Sequence, residues 1–315
     1  MFAFMHRRQF VVSATAAALL QAAPEEPQTV VYRNAGGCEV KADVFGAPAD
    51  GRKPVAVWIH GGALISGSRK LPPNSRLLRS LLDAGFAVVS IDYRLAPETK
   101  LPGIVEDVQD AFRWIRANAR TLHVEPDRVA VCGGSAGGYL TLMTGFSVKP
   151  RPKALVSYWG YGDIAGSWYS RPDPFYLQQP AVTREEALTA VGSAPISEPP
   201  SKNSRGRFYL YCRQQGMWPK EIAGHDPDTE DRWFERYCPV RNVTRGYPPT
   251  MLVHGTRDTD VPYDQSKLMA DRLRQAGVQH QLVTVPEGAH GIGNIAPEEQ
   301  DRIYRKAATF LMERV

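Results

Sequence analysis

Short apolar runs alternate with stretches of helical periodicity along most of the chain. The runs at 55–59 and 87–91 are almost continuously apolar, which is typical of strands buried on both faces. Between the runs, apolar residues recur three and four positions apart, as they do over 105–117. Strands that alternate with helices in this way predict an α/β fold, with a mostly parallel central sheet and helices on both of its faces.

The insertion at 160–247 breaks this alternation, because it is rich in Pro, Tyr and Trp and has few clean strand patterns. Long irregular insertions are usually functional, so we predict a lid inserted into a single domain that spans 24–315. The remaining elements follow from the apolar pattern and from the glycines that end it. We predict a hairpin from 30–33 and 39–45, further strands at 55–59, 87–91, 128–132, 154–158, 250–253 and 281–285, and helices at 77–84, 105–117, 139–146, 266–276 and 298–312.

The pentapeptide Gly133-Gly134-Ser135-Ala136-Gly137 fits the G-x-S-x-G pattern of a sharp strand-to-helix turn. A strand pattern precedes it and a helical pattern follows it, as this turn requires. The small neighbours let strand and helix approach closely, and the serine hydroxyl is exposed at the start of a helix. Ser135 is therefore the candidate nucleophile, whereas the pentapeptide taken alone also fits a structural turn.

The tetrapeptide His60-Gly61-Gly62-Ala63 directly follows the strand at 55–59 and matches an H-G-G-G type of oxyanion loop, with alanine in the last place. Small residues allow backbone N–H groups to point at the carbonyl oxygen of a substrate. We predict that the amides of Gly62, Ala63 and Ala136 form an oxyanion hole. A glycine turn without function is the alternative for this tetrapeptide alone.

A serine hydroxyl needs a base to remove its proton, and the chain has seven histidines. His290 follows the last predicted strand in a glycine-rich loop, where a base at the same sheet edge is expected. Asp258 follows the strand at 250–253 and is the candidate acid, with Asp260 as its rival two residues further on. The chain order Ser135, Asp258, His290 is the order of nucleophile, acid and base in α/β hydrolases.

Taken together, these motifs resemble the carboxylesterase branch of the α/β hydrolases, near the hormone-sensitive-lipase-like and feruloyl/acetyl-esterase-like families. The matching stretches are 60–63, 92–98, 133–138, 254–262 and 288–291. The lipase-like enzymes usually have an acidic residue in place of Gly134 and a third glycine in place of Ala63. The resemblance implies ester hydrolysis through an acyl-enzyme without a cofactor, and it makes 92–98 a structural support of the site. The spacing of potential ligands gives no reason to expect a metal.

The expected partner is a small-molecule ester with a short acyl chain, a small aromatic acid or a sugar. Trp159, Tyr161 and Trp168 lie at the start of the lid and are candidate substrate-binding residues. These aromatic residues equally fit a role in the lid's own core. A peptidase or amidase with the same catalytic residues is the first alternative function, and a non-catalytic ligand-binding homologue is the second.

Residues 1–23 have the order of regions found in an export signal. Arg7 and Arg8 form a twin arginine, a short apolar run follows, and small residues close the segment before Pro24. We therefore predict export to the periplasm or the medium, and a cytoplasmic location if the segment is not a signal. The run is too short to span a bilayer, and we expect no stable membrane insertion.

The formal net charge of +5 comes without a dense run of Lys or Arg, which argues against a nucleic-acid partner. The sequence does not indicate an oligomeric state. Four cysteines, Cys38, Cys132, Cys212 and Cys238, lack the spacing of a zinc site. Cys212 and Cys238 share the lid segment and could form a disulfide in an oxidising compartment.

Overall fold

A twisted eight-stranded sheet forms the centre of the computed structural model, which describes residues 26–315 apart from 49, 73, 202 and 203. The strand order is β1-β2-β4-β3-β5-β6-β7-β8. The strand β2 pairs antiparallel with β1 and with β4. The other six strands, β3 to β8, are parallel to one another. The strands are β1 (Gln28–Ala35), β2 (Cys38–Phe45), β3 (Lys53–Ile59), β4 (Ala87–Ile91), β5 (Val124–Gly134), β6 (Leu155–Tyr158), β7 (Thr250–Gly255) and β8 (His280–Val285).

Ten α-helices accompany the sheet in the described part of the chain. Five of them belong to the segment between β6 and β7, four others connect strands, and α10 follows the last strand. They are α1 (Arg76–Asp83), α2 (Leu101–Ala117), α3 (Ala136–Ser147), α4 (Ser167–Ser170), α5 (Arg184–Leu188), α6 (Gly206–Gln215), α7 (Trp218–Ala223), α8 (Asp231–Phe234), α9 (Asp264–Gln275) and α10 (Pro297–Met312). None of the helices in the described residues is both long and apolar enough to cross a membrane.

Alternate residues of the central strands face two separate apolar cores, as the period of a strand requires. In β3, Val57 and Ile59 belong to the core on the side of α2 and α3. Ala56 belongs to the core on the opposite side, with residues of α1 and α10. Both faces of the sheet are therefore covered, which explains why the runs at 55–59 and 87–91 are almost continuously apolar.

The predicted arrangement of a mostly parallel sheet, helices on both faces and an inserted segment is confirmed. All predicted strands and helices are present, with boundaries that differ mainly at the start of an element. Helix α2 begins at Leu101 rather than 105, because Pro102 occupies its first turn, where a missing N–H costs nothing. Residues 1–25, which include the predicted export signal, lie outside the described residues.

The inserted segment packs as a lid on the core that contains α2 and α3. Tyr169 and Trp218 stack with ring centroids 4.0 Å apart, and Tyr161 meets both rings edge-on. The indole of Trp218 also donates a hydrogen bond to the backbone oxygen of Ala63 at 2.9 Å, which ties the lid to the loop after β3. Cys212 and Cys238 are both buried in this segment as free thiols, without a disulfide between them.

The start of α3 crosses the end of β3 with no space for a side chain. A Cβ atom on Gly137 would lie 2.0 Å from the backbone oxygen of Ile59, and one on Gly133 would lie 2.3 Å from the oxygen of Gly137. These glycines therefore allow a close approach of two backbones, which fixes the position of the turn between β5 and α3.

Substitution Gly137→Ala is expected to lower the free energy of unfolding by about 1–3 kcal/mol or more, because the strand and helix must separate to admit a methyl group. Urea unfolding followed by tryptophan fluorescence measures the change. Gly293→Ala is the matched control, because Gly293 has a φ of −68° and open space at its Cβ position. Equal unfolding midpoints for the two variants would contradict this account of the crossing.

Candidate active site

Ser135 occupies the turn between β5 and α3 with a strained backbone. Its φ of 57° and ψ of −122° lie in a region that residues with a side chain rarely adopt. The turn is held by a hydrogen bond of 2.9 Å from the Ser135 N–H to the backbone oxygen of Tyr158. The strain turns the hydroxyl away from the sheet and towards the loops that follow β7 and β8.

A continuous chain of hydrogen bonds joins Ser135, His290 and Asp258. The Oγ of Ser135 lies 3.1 Å from Nε2 of His290, and Nδ1 of His290 lies 2.8 Å from Oδ2 of Asp258. The three residues follow β5, β7 and β8, at the carboxyl edge of the sheet. The sequence-predicted nucleophile, acid and base thus meet in one place, in the geometry that allows a base to activate a hydroxyl.

The loops that carry Asp258 and His290 are packed tightly against each other. A Cβ atom on Gly255 would lie 2.1 Å from the backbone oxygen of Gly288. The N–H of Arg257 donates to that same oxygen at 2.9 Å. The separation between acid and histidine is therefore set by backbone contacts rather than by flexible side chains.

The side chain of Asp258 is fully buried and hydrogen-bonded through both of its oxygens. Oδ1 accepts the backbone N–H groups of Asp260 and Val261, each at 2.9 Å, and Oδ2 faces His254 at 3.2 Å as well as His290. Burial opposes ionisation, but the hydrogen bonds from the two histidines and the charge of His290 outweigh it and hold the pKa of Asp258 well below its usual range. Asp258 is thus a carboxylate at neutral pH.

The pKa of His290 is raised above its ordinary value. Burial disfavours the charged ring, but the hydrogen bond to Asp258 and the negative charges of Asp260 and Asp258 outweigh this effect. Asp260 contributes because its Oδ2 lies 3.4 Å from Nε2, the same nitrogen that faces Ser135. The environment therefore favours the imidazolium form that arises when the histidine takes a proton.

The amides of Gly62, Ala63 and Ala136 lie beside Ser135. Within the described chain, none of these three N–H groups donates to a protein oxygen. Gly62 and Ala63 have positive φ angles of 105° and 54°, so that the chain turns sharply straight after β3. Unused amides on a fixed loop are suited to receive developing negative charge on an oxygen.

Buried groups support the loop at 60–63 from below. The rings of His60 and Tyr93 stack with centroids 4.2 Å apart, and the Tyr93 hydroxyl donates to the backbone oxygen of His60 at 3.1 Å. Asp92 is fixed by Arg69, whose Nη1 donates to Oδ2 of Asp92 at 2.6 Å. Burial lowers the pKa of His60 to about 4, so its ring is neutral at pH 7.

A cavity of about 350 Å³ opens beside the Ser135 hydroxyl, between the sheet edge and helix α6 of the lid. Two of the three predicted oxyanion residues, together with Ser135 and His290, form part of its wall. The lining residues are Gly62, Ala63, Ile65, Ser66, Ser135, Arg205, Gly206, Tyr209, Asp260 and His290.

The predicted substrate-binding aromatic residues do not line this cavity. Tyr161 is completely buried and stacks on Tyr139 at 5.1 Å, and Trp168 stacks on Tyr169 at 3.9 Å. Tyr161 belongs to the apolar core beneath the lid and the partly buried Trp168 packs against this core, because their rings find aromatic partners there.

Trp159 lies next to the site but outside the cavity. Its indole and the His290 ring pack edge to face, with centroids 6.4 Å apart. A Cβ atom on Gly134 would lie 3.1 Å from its Nε1, so the tryptophan fills the space that an acidic side chain at position 134 would need. This contact accounts for the glycine in a place where lipase-like enzymes usually have a carboxylate.

Sequence reasoning did not assign Arg205, Tyr209 or Asp260 to the binding cavity. Arg205 is almost fully buried and pairs with Glu98 at 2.5 Å. Tyr209 donates a short hydrogen bond to Asp260. Asp260 had a signal in the sequence, because it follows the candidate acid by two residues. The two lid residues had none, since their positions depend on how the insertion folds back.

Comparison with known proteins agrees with this architecture. A family model described as the alpha/beta hydrolase fold matches residues 56–294. The non-reducing polyketide synthase ausA of Emericella nidulans is 30% identical over 316 residues, which cover 84% of this chain and 13% of the synthase. The chain thus spans only a small part of the length of such curated relatives.

Solved structures give the same result for the fold. A protein of unknown function from Staphylococcus aureus subsp. aureus Mu50 superposes with a TM-score of 0.74 at 23% identity, covering 92% of this chain and 99% of that one. The hyperthermophilic esterase of the archaeon Pyrobaculum calidifontis gives 0.64 at 25% identity, covering 91% and 85%. The chain therefore belongs to the α/β-hydrolase fold family, and its architecture is that of a hydrolase with esterases among its structural neighbours.

Proposed function

We propose that this protein is a serine carboxylic-ester hydrolase that acts through an acyl-enzyme. The observation that carries the proposal is the hydrogen-bonded chain from Ser135 through His290 to Asp258, which lies beside unused backbone amides at one cavity. A nucleophile, a base, an orienting acid and oxyanion donors are the parts that acyl transfer requires. The resemblance to carboxylesterases adds ester hydrolysis as the reaction.

In the proposed reaction, the Ser135 Oγ attacks the ester carbonyl carbon while Nε2 of His290 takes the hydroxyl proton. The amides of Gly62, Ala63 and Ala136 stabilise the oxyanion of the tetrahedral intermediate. Asp258 keeps the proton-bearing Nδ1 of His290 oriented and stabilises the imidazolium. The C–O bond then breaks, the alcohol leaves with the proton from Nε2, and water repeats the sequence to release the acid.

The substrates we propose are esters of short-chain or small aromatic acids, including sugar esters. The cavity of about 350 Å³ is near the lower end of the range for small-molecule sites. Ala63 and Ile65 make part of its wall apolar, while Arg205, Tyr209 and Asp260 supply polar groups.

We further propose that residues 1–23 direct the protein out of the cytoplasm. Cell fractionation of the full-length chain and of a chain that spans residues 24–315 tests this proposal.

Substitution Ser135→Ala is expected to reduce ester hydrolysis by several orders of magnitude, up to about a million-fold if the three residues act as a unit. Hydrolysis of p-nitrophenyl esters from acetate to decanoate by both proteins measures the effect and the acyl-chain preference. Ser147→Ala is the matched control, since Ser147 lies at the far end of α3 and bonds to the backbone oxygen of Met143. Retained activity in Ser135→Ala would contradict the assignment, and activity on amides alone would favour a peptidase or amidase.

Because His290 must be neutral to act as a base, kcat/KM is expected to rise with pH through a pKa above the ordinary histidine value of about 6.5. Asp260→Asn removes a negative charge 3.4 Å from Nε2, which disfavours the imidazolium and lowers this pKa. The acid limb of the pH–rate profile should therefore move to lower pH.

Asp173→Asn is the matched control for this shift. Asp173 binds the same arginine, Arg213, as Asp260 does, but it does not contact His290. Its profile should stay close to that of the wild type. An acid limb of Asp260→Asn that stays in place or moves to higher pH would contradict the electrostatic role of Asp260.

A further inference from the structure

The two oxygens of the Asp260 carboxylate have different surroundings. Oδ1 accepts hydrogen bonds from the hydroxyls of Tyr176 and Tyr209 and from Nη1 of Arg213. Within the described part of the chain, Oδ2 receives no hydrogen bond from a tyrosine, an arginine or a backbone amide. Oδ2 is therefore an available acceptor on a residue that lines the cavity.

This carboxylate is held so that it cannot turn away from the cavity. Arg213, which is 1% exposed, donates to the backbone oxygen of Asp260 as well as to its side chain, each at 2.9 Å. The Asp260 N–H donates to Asp258. The guanidinium of Arg213 is in turn packed over the rings of Tyr169 and Tyr176 at 4.9 and 4.7 Å. Such a fixed acceptor loses little entropy when a ligand binds.

The position of Oδ2 relative to His290 identifies the part of the substrate it faces. In acyl transfer the leaving alcohol oxygen receives its proton from Nε2 of His290, so this oxygen must lie within hydrogen-bond distance of Nε2. Oδ2 of Asp260 lies 3.4 Å from the same nitrogen. A group on the carbon next to the ester-bearing carbon of the alcohol portion can therefore reach Oδ2.

We propose that Asp260 is a specificity residue that accepts a hydrogen bond from a hydroxyl on the carbon next to the ester-bearing carbon. The preferred substrates are then partial esters of polyols, in which a free hydroxyl neighbours the acylated one. The inference rests on the proposed ester hydrolysis and names the alcohol portion of the substrate that this site selects.

The charges around Oδ2 favour a neutral hydroxyl over an ionised group. A carboxylate on the leaving group would be repelled by Asp260 itself. The charge of Asp260 is offset by Arg213 at 2.9 Å, so a substrate cation gains less than it would beside an unpaired carboxylate. A hydroxyl group satisfies the remaining acceptor without bringing in a further charge.

The test compares 2-hydroxyethyl acetate with 2-methoxyethyl acetate. The two leaving alcohols have similar acidity, but only the first can donate a hydrogen bond. The measured quantity is the ratio of the two kcat/KM values within one enzyme, because effects on the shared chemistry, including the pKa of His290, cancel. A hydrogen bond to a charged acceptor predicts a wild-type ratio of about tenfold or more in favour of the hydroxyl ester.

Asp260→Asn replaces Oδ2 by an amide nitrogen, while the carbonyl oxygen still accepts hydrogen bonds from the tyrosines. In this variant the ratio of the kcat/KM values for the hydroxyl and methoxy esters should fall towards one. Asp173→Asn, which disturbs the same arginine but not the cavity wall, should keep the wild-type ratio. A structural role of Asp260 would lower both kcat/KM values together and leave the ratio unchanged.

A wild-type ratio near one overturns the role of Asp260, and it does so even if Asp260→Asn fails to fold. Such a result leaves ester hydrolysis standing, because both acetates are then hydrolysed. An unchanged high ratio in folded Asp260→Asn also overturns the assignment. Hydrolysis of neither acetate nor of any p-nitrophenyl ester by the wild type overturns the inference together with the proposed function.

Discussion

The arrangement of the site depends on the close crossing of the turn around Ser135 with the end of β3. Gly137 lies so close to the backbone oxygen of Ile59 that no side chain fits between them. This contact fixes the strained conformation of Ser135 and at the same time places the loop at 60–63 next to it. The proposed nucleophile and the amides proposed to stabilise the oxyanion are thereby held by backbone packing, which resists displacement better than long side chains do.

The carboxylates of Asp258 and Asp260 lie on one short loop but have different surroundings. Asp258 is enclosed by backbone amides and by His254, and it faces Nδ1 of His290. Asp260 is bound by lid residues and faces the cavity near Nε2. The lid therefore does more than cover the sheet edge, because Arg213 and its neighbours determine where the second carboxylate points. This division of roles links the folding of the insertion to the electrostatics at the histidine.

The sequence predicted the parts of the molecule that depend on local pattern and chain order. The strands, the turn at Ser135 and the chain order of Ser135, Asp258 and His290 each follow from short stretches in which spacing dictates geometry. The roles of the lid residues could not be predicted in the same way. Tyr161 and Trp168 were assigned to the substrate because aromatic composition does not distinguish a core from a cavity wall. Contacts such as Arg213 to Asp260 join residues far apart in the chain, and no local pattern encodes them.

In the proposed reaction, His290 makes Ser135 the reactive group of the protein, and every other role in the site depends on this activation. Labelling with a fluorophosphonate tests it directly, because the reagent forms a stable adduct with an activated serine and needs no knowledge of the natural substrate. Intact mass spectrometry and peptide mapping should show one adduct, on Ser135, that forms far more slowly in folded His290→Ala. An adduct on another residue, no adduct, or equal labelling rates in the two proteins would contradict the account.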